Sequence, residues 1–589
     1  MIKFGHNKYW GITLMMNWKS AYEKWNAYEG LDSQLKQELA TLPSNLLEDA
    51  FYKELSFGTG GMRGVLGVGT NRMNIYTIRK AVYGLAKYLL NNSVNVKDRG
   101  VVVAYDSRYM SYEFAVEAAK TLGMFGIRTY IFKSLRPTPL LSFAVRFLGT
   151  AAGIMITASH NPPEYNGFKV YNEDGGQMVP DEANKIIKAI QQIDNELEIP
   201  VLEQDEVEKK ELLVWLSDEV DNAYLENLKQ ISKLPDEEMQ EEKDVNIVFT
   251  PLHGTAYHLV TNGLEQLNFT KVSVVEEQVK PDPEFSTVES PNPEEHQAFT
   301  MAIELGKKVD ADILLGTDPD ADRLGVAVKN DMGDYTVLTG NQLGALLIDY
   351  ILFHTNKVLL PNARVLKTIV TSELGQAVAT SYGVETINTL TGFKYISEKI
   401  HQFDSTGEAF AFGYEESYGY LISSFSRDKD AVQAAVMASE MAYYWKKQGK
   451  TLLNALEDLY KKHGYYREGM SSLTLKGIEG TEKIALIMDT IRKNPFKEIA
   501  GYKVELFEDY LVRERLITSS GKKETIELPE ENVLKFVLQD NSWVCLRPSG
   551  TEPKIKCYFG TCGHSLAESE ETLAVLKGKM NEVMNEIIS

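Results

Sequence analysis

Cysteine is scarce in this chain: three residues among 589, Cys545, Cys557 and Cys562, all near the C-terminus. An odd, clustered set builds no disulfide framework, and no paired C-x-x-C spacing offers a zinc site. That usage fits a reducing, cytoplasmic compartment. Positive charge is in deficit as well: 62 Lys and Arg against 83 Asp and Glu leave a net charge of −21. Such a surface repels nucleic acid and anionic lipid, so neither is an expected partner. No apolar run reaches the ~18 residues of a membrane-spanning helix. The opening MIKFGHNKYWGITLMMNWKS has neither a sustained apolar core nor an A-x-A site, so no signal peptide is expected. Met15 and Met16 precede a cleaner helical pattern, and residues 1–15 read as a start-site extension.

What is present is ordinary in bulk, with 43% hydrophobic and 25% charged residues. The length implies roughly three to five domains. One pattern occurs three times. GVVVAYDSR, IRTYIF and AAGIMITAS read as strands separated by helical SYEFAVEAAKTLGMFG and PTPLLSFAVRFLG. VNIVFTPL, KVSVVE and ADILLGT repeat it, and ARVLKTIVTS, VETINTL and AFAFGYEES repeat it again. Each β-α-β-α-β unit ends its third strand in a polar loop, where α/β sheets bind ligands. The acidic stretches 202–213 and 234–244 read as solvated linkers around a helical segment. From about residue 470 the alternation changes to that of a separate α+β domain.

The loops carry the chemistry. GTDPDADR sets Asp318, Asp320 and Asp322 two apart at a strand end. Three carboxylates turned to one point repel unless a cation lies among them, and hard oxygen donors favour Mg2+ or Ca2+. The EF-hand glycine and glutamate are missing. Arg323 adds a cation for a phosphate. TASHNP places Ser159 beside His160, which suggests a hydrolase pair; yet no G-x-S-x-G elbow surrounds it, and successive side chains diverge in an extended segment. RPSGTEPK offers Arg547, Ser549, Gly550, Thr551 and Lys554 as a phosphate nest without being a Walker A loop. GYEES brings Glu415 and Ser417 to a strand end, where they suit sugar hydroxyls. FGTGGMRG holds Arg63, NGFKVY holds Lys169 and PLHGT holds His253. A metal triad, a serine at a strand end, sugar-hydroxyl partners and a phosphate nest together point to phosphoryl transfer on a sugar phosphate.

TASHNP, GTDPDADR, GYEES and RPSGTEPK, in that order, resemble the α-D-phosphohexomutase superfamily, in its bacterial phosphoglucomutase branch. The resemblance covers the chain after about residue 40. It implies an α/β architecture of four domains around a central cleft: three related mixed α/β domains at 1–205, 206–328 and 329–465, and a C-terminal α+β domain at 466–589 that acts as a phosphate-binding lid. It implies catalytic roles for Ser159 as phosphoserine, and for His160, Arg63 and Lys169, the last as general acid or base. It implies one Mg2+ per subunit on Asp318, Asp320, Asp322 and the phosphate of Ser159, and substrate contacts at Arg323, Thr391, Gly392, Lys394, Glu415, Ser417 and Lys429. It assigns the phosphate site to Arg547, Ser549, Gly550, Thr551 and Lys554. The implied reaction interconverts glucose 1-phosphate and glucose 6-phosphate, with glucose 1,6-bisphosphate as primer and intermediate. The rivals are a phosphopentomutase or phosphomannomutase of the same mechanism, and an idle sugar-phosphate-binding protein. Sugar phosphates are the expected partners, and a monomer or weak homodimer the expected state.

Overall fold

The three repeated strand sets form three sheets with one topology. The computed structural model describes residues 18–58, 61–355, 358, 360–475, 477–549 and 554–589. Residues 1–15 therefore lie outside the described residues. The chain divides into two compact units, residues 1–220 with 281–286, and residues 221–280 with 287–589.

In the first unit, strands Val101–Tyr105, Thr129–Phe132 and Ala152–Ile156 are parallel, with Val101–Tyr105 between the other two. Every residue of Val101–Tyr105 is buried, as befits a parallel strand covered on both faces. Helices Ser111–Gly123 and Thr138–Leu148 make the crossovers. Phe114, Ala118 and Leu122, four apart, give one helix its apolar stripe, and all three are fully buried. Strand Tyr165–Tyr171 then turns back antiparallel to Ala152–Ile156 and carries Gly61–Val65 on its other edge. At the opposite edge Leu213–Leu216 adds in parallel to Thr129–Phe132. The acidic stretch 202–213 does hold a charged helix, but the segment read as helical after it opens with this strand, which places part of the first sheet beyond residue 205. The charged helix Gln204–Lys209, which leads into the strand, hid it.

The second unit repeats the arrangement twice. Ile247–Thr250 lies between Val272–Val274 and Ile313–Thr317, and Leu324–Lys329 returns antiparallel to the last of these. Ala363–Thr368 lies between Glu385–Thr389 and Ala409–Glu415, and Gly419–Leu421 returns antiparallel. In all three sheets, then, the third strand leads into a loop and an antiparallel partner.

The C-terminal sheet is antiparallel, with Tyr465–Thr474 at one edge paired to Lys554–Gly563. Helices Gly477–Lys493 and Leu566–Ile588 cover one face through Ile487, Met488, Leu576 and Met580. The other face carries Tyr510, Trp543, Cys545 and Tyr558, packed with Ile369, Val370, Leu390 and Tyr395 of the preceding domain. Lys535 crosses the same seam, donating to the Ile369 carbonyl at 2.8 Å and lying 4.8 Å from the Trp543 ring centre.

Glu468, half-buried, accepts a hydrogen bond from the Ser372 hydroxyl. Burial pushes its pKa up to about 7, against the pull of Ser372 and Arg467. The native state thus binds a proton that the unfolded chain releases near 4.5, so this group costs stability as pH rises from about 4.5 to about 7. Glu468→Gln is expected to remove that loss: thermal melts should show the variant gaining on the parent between pH 5 and pH 8, and parallel pH profiles would contradict the assignment.

Candidate functional site

Each third strand ends in a loop that holds one non-glycine residue in the left-handed region. Ser159 has φ 51°, Ala321 φ 55° and Tyr418 φ 64°. Such backbone costs about 1 kcal/mol or more per residue and persists where surrounding contacts enforce it.

In the first unit, the turn at Ser159 brings its Oγ to 3.1 Å from His160 Nδ1. The expectation that these neighbours diverge holds for extended backbone, and the positive φ of Ser159 overturns it here. The Ser159 N–H donates to Thr157 Oγ1 at 2.8 Å. Arg63 donates to Asn161 Oδ1 at 2.7 Å. Lys169 is half-buried and pairs with Gly61, two residues before Arg63, so Lys169 and Arg63 share one sheet face.

The loop's scaffold is Arg108, which the sequence reading did not single out. Its guanidinium donates to the carbonyls of Ser159 at 2.6 Å, Pro162 at 2.8 Å and Tyr165 at 3.0 Å, and also to that of Asn161. It lies 3.5 Å from Asp106, with both side chains fully buried, and 4.9 Å from the Phe285 ring centre. Burial pushes the Asp106 carboxyl up, and Arg108 pulls it back. The only sequence signal for Arg108 is its place just after a buried strand.

In the second unit, Asp318, Asp320 and Asp322 each offer a carboxylate oxygen within 4.8 Å of the others, and all three are buried. Asp318 Oδ1 accepts the N–H groups of Asp322 at 3.1 Å and Arg323 at 3.0 Å, which closes the loop on itself. Three buried hard-oxygen donors fit a divalent cation such as Mg2+. PLHGT braces this loop. Thr255 donates its N–H and its hydroxyl to the Pro319 carbonyl, both at 2.9 Å, and a side chain on Gly254 would come within 2.4 Å of Pro319 Cα. His253 is held at both ring nitrogens, 2.9 Å from the Lys280 carbonyl and 2.8 Å from Thr287 Oγ1, so it acts as a strut.

Lys429 lies 3.1 Å from Asp322 and 3.2 Å from Asp428. Burial opposes its charge, but those two carboxylates hold its pKa well above the usual lysine value. A Cβ on Gly419 would strike the Lys429 stem at 2.2 Å. Arg323 pairs with Glu294 and lies 3.8 Å from Asp322. The Leu324 N–H donates to the Tyr418 carbonyl at 3.0 Å, tying the aspartate loop to the GYEES loop. Glu415 accepts the Gly392 N–H at 2.9 Å. Burial pushes its pKa up to about 7, with Lys429 opposing and Glu416 adding to the rise. Glu416 accepts the Thr371 hydroxyl at 3.1 Å. Thr391 and Ser417 are half-buried in the same loops.

Arg547 pairs across the C-terminal sheet with Lys556, and the Ser549 N–H donates to the Lys554 carbonyl at 2.7 Å. Gly550 and Thr551 lie outside the described residues. Arg547, Lys554 and Lys556 share a face by strand alternation. Lys394 joins them electrostatically: burial, with Arg547 adding to it, lowers its pKa to about 8. Burial, then Lys554 and Arg547, lower Lys556 in the same way. Lys556 was missed in the sequence, although its period-two spacing from Lys554 was a usable signal. Among the described residues, the second unit thus links Asp322, Arg323, Glu415, Gly392 and Lys429, while Ser159, His160, Arg63 and Lys169 belong to the first. A cavity of about 1440 Å3 beside Glu373, Tyr466, Tyr510 and Trp543 is lined by none of these residues.

Comparison with known proteins agrees with this layout. The models of phosphoglucomutase/phosphomannomutase alpha/beta/alpha domains I, II and III match residues 54–197, 222–333 and 339–463, and the C-terminal domain model matches 489–573. The chain belongs to the phosphoglucomutase/phosphomannomutase family. A phosphoglucomutase of Staphylococcus aureus (strain bovine RF122 / ET3-1) is 43% identical over 512 residues, 87% of this chain and 90% of that protein. One from Staphylococcus haemolyticus (strain JCSC1435) is 39% identical over 540 residues, 91% of this chain and 95% of its own length. The fold is shared with the open form of pp63/parafusin, a Paramecium phosphoglucomutase (TM-score 0.65, 17% identity, 91% of this chain and 95% of that one). It is also shared with a family protein of Burkholderia thailandensis (TM-score 0.63, 17% identity, 90% and 97%). No helix among the described residues is long and apolar enough to cross a membrane.

Arg108→Met removes the partner of a buried carboxylate and four carbonyl contacts. It is expected to cost about 3–5 kcal/mol in urea unfolding. Adding Asp106→Asn should recover part of the loss. A single variant as stable as the parent would contradict the clamp.

Proposed function

We propose that this chain interconverts α-D-glucose 1-phosphate and glucose 6-phosphate as an intramolecular phosphotransferase of the isomerase class. The observation that carries the reading is the presence within one unit of a buried aspartate triad, a carboxylate loop at Glu415 and Gly392, and a cationic strand pair at Arg547 and Lys556. Metal, sugar hydroxyls and phosphate each find their chemistry there.

Ser159 carries the phosphoryl group. Its P–O bond breaks as a new one forms to the free sugar hydroxyl, whose proton passes to Lys169 as base and on to the departing Ser159 Oγ. The product is glucose 1,6-bisphosphate. It reorients and returns its other phosphate to Ser159, whose hydroxyl proton passes through Lys169, now the acid, to the departing sugar oxygen. His160 and Arg63 support the loop and the transferring group. Arg323, Lys394, Arg547, Ser549, Gly550, Thr551 and Lys554 bind phosphate oxygens. Thr391, Gly392, Glu415, Ser417 and Lys429 orient the sugar ring. Asp318, Asp320 and Asp322, with the phosphate on Ser159, would hold one Mg2+, which would supply charge neutralisation. The four-domain division at 1–205, 206–328, 329–465 and 466–589 assigns one loop to each domain, with the strand Leu213–Leu216 added to the first.

The test is a coupled assay for glucose 6-phosphate from glucose 1-phosphate, primed with glucose 1,6-bisphosphate. Mannose 1-phosphate and ribose 1-phosphate are run beside it. Faster turnover of either would overturn the glucose assignment. Ser159→Ala is expected to abolish turnover and the one-phosphate increment in intact mass, with the circular dichroism spectrum unchanged. Retained turnover would sink the phosphoserine. Asp320→Asn is expected to raise the Mg2+ concentration for half-maximal activity at least ~10-fold; an unchanged titration would remove the triad from metal binding.

A further inference from the structure

The reading above gives Arg323 to a substrate phosphate, yet its guanidinium already has an anionic partner. Glu294, in the segment SPNPEE, forms an ion pair with it, and both side chains are largely shielded from solvent. The Glu294 N–H donates to Asn292 Oδ1 at 3.2 Å, which fixes the turn presenting the carboxylate. The charge of Glu294 also reaches Lys556, on the same strand face as Arg547 and Lys554. Burial pushes the Glu294 carboxyl up, and Arg323 and Lys556 pull it back. The carboxylate of Glu294 therefore already occupies a cation suited to phosphate.

Carboxylate and phosphate oxygens are alternative ligands for guanidinium and ammonium groups. We infer that Glu294 is a resident competitor for the substrate's phosphate: it occupies Arg323 until an incoming phosphate takes its place. An anion must displace it to bind. Inorganic phosphate has only its own oxygens with which to do so. A sugar phosphate adds the hydroxyl contacts of the Glu415 and Gly392 loops, so the displacement falls more heavily on the bare anion. Glu294 is thus a specificity-determining residue that lowers the affinity for phosphate without a sugar. The inference rests on Arg323 being a phosphate ligand, as proposed above.

Calorimetric titration with inorganic phosphate tests it in four forms of the full chain: parent, Glu294→Gln, Arg323→Gln and the double variant. Glu294→Gln is expected to bind phosphate roughly fivefold more tightly. The KM for glucose 1-phosphate should change less, and the gain should vanish in the Arg323→Gln background. A loss of Arg323 bracing alone would weaken phosphate binding instead. Unchanged or weaker binding by a normally melting Glu294→Gln overturns the inference, as does an equal gain without Arg323. Should Glu294→Gln fail to fold, Glu294→Asp keeps the charge on a shorter stem and is expected to tighten phosphate about twofold; no change there also overturns it. A parent that turns over no sugar phosphate would sink the mutase reading, while the calorimetric comparison would still decide the role of Glu294.

Discussion

Mutual repulsion among three buried carboxylates is the constraint on which the second unit depends. Asp318, Asp320 and Asp322 would not stay packed together without opposite charge and hydrogen-bond donors around them. The chain supplies both from far apart in sequence. Lys429 comes from the turn before helix Ala431–Lys447, and the N–H groups of Asp322 and Arg323 come from the loop itself. The backbone of PLHGT closes in from behind, so tightly that only glycine fits at position 254. The loop is thus fixed by its neighbours, and its geometry is available to a cation in advance.

Much of this was legible in the sequence because it is local. Apolar runs such as VVVAY and ILLGT end where polar loops begin, and three β-α-β-α-β rounds follow from counting them. The aspartate spacing suggests a cation site without a fold, whereas TASHNP and RPSGTEPK gain meaning only beside it. The partnerships were not legible, because they are made across long stretches of chain. Arg108 reaches carbonyls some fifty residues away, Lys429 reaches Asp322 across a whole domain, and Glu294 meets Arg323 from an unremarkable proline-rich turn. Leu213–Leu216 reads as part of the helical segment that follows it because a four-residue edge strand has no periodicity to show.

Backbone conformation was the least legible layer. Ser159, Ala321 and Tyr418 are residues for which a left-handed φ is uncommon, and none of the three loops advertises it with glycine at that position. For Ser159 the consequence is direct, since the turn reverses an inference drawn from extended geometry and sets its hydroxyl against His160. The same device at the same topological point in three sheets indicates that the loop form belongs to the repeat, while the side chains on it differ by task.

The seam beneath the C-terminal sheet limits how that domain can move. Its contact with the preceding domain is a row of buried aromatic and aliphatic side chains, crossed by a lysine whose ammonium is bound to the far side. Parting those faces would wet Trp543, Tyr510 and Tyr558 together and strip Lys535 of its carbonyl. Rotation that keeps the faces in register, as one packed layer gliding over another, avoids both costs. The C-terminal domain is therefore geared to its neighbour, and a shift of the sheet would be transmitted to the Leu390 and Tyr395 stretch packed on it as displacement rather than lost as slack.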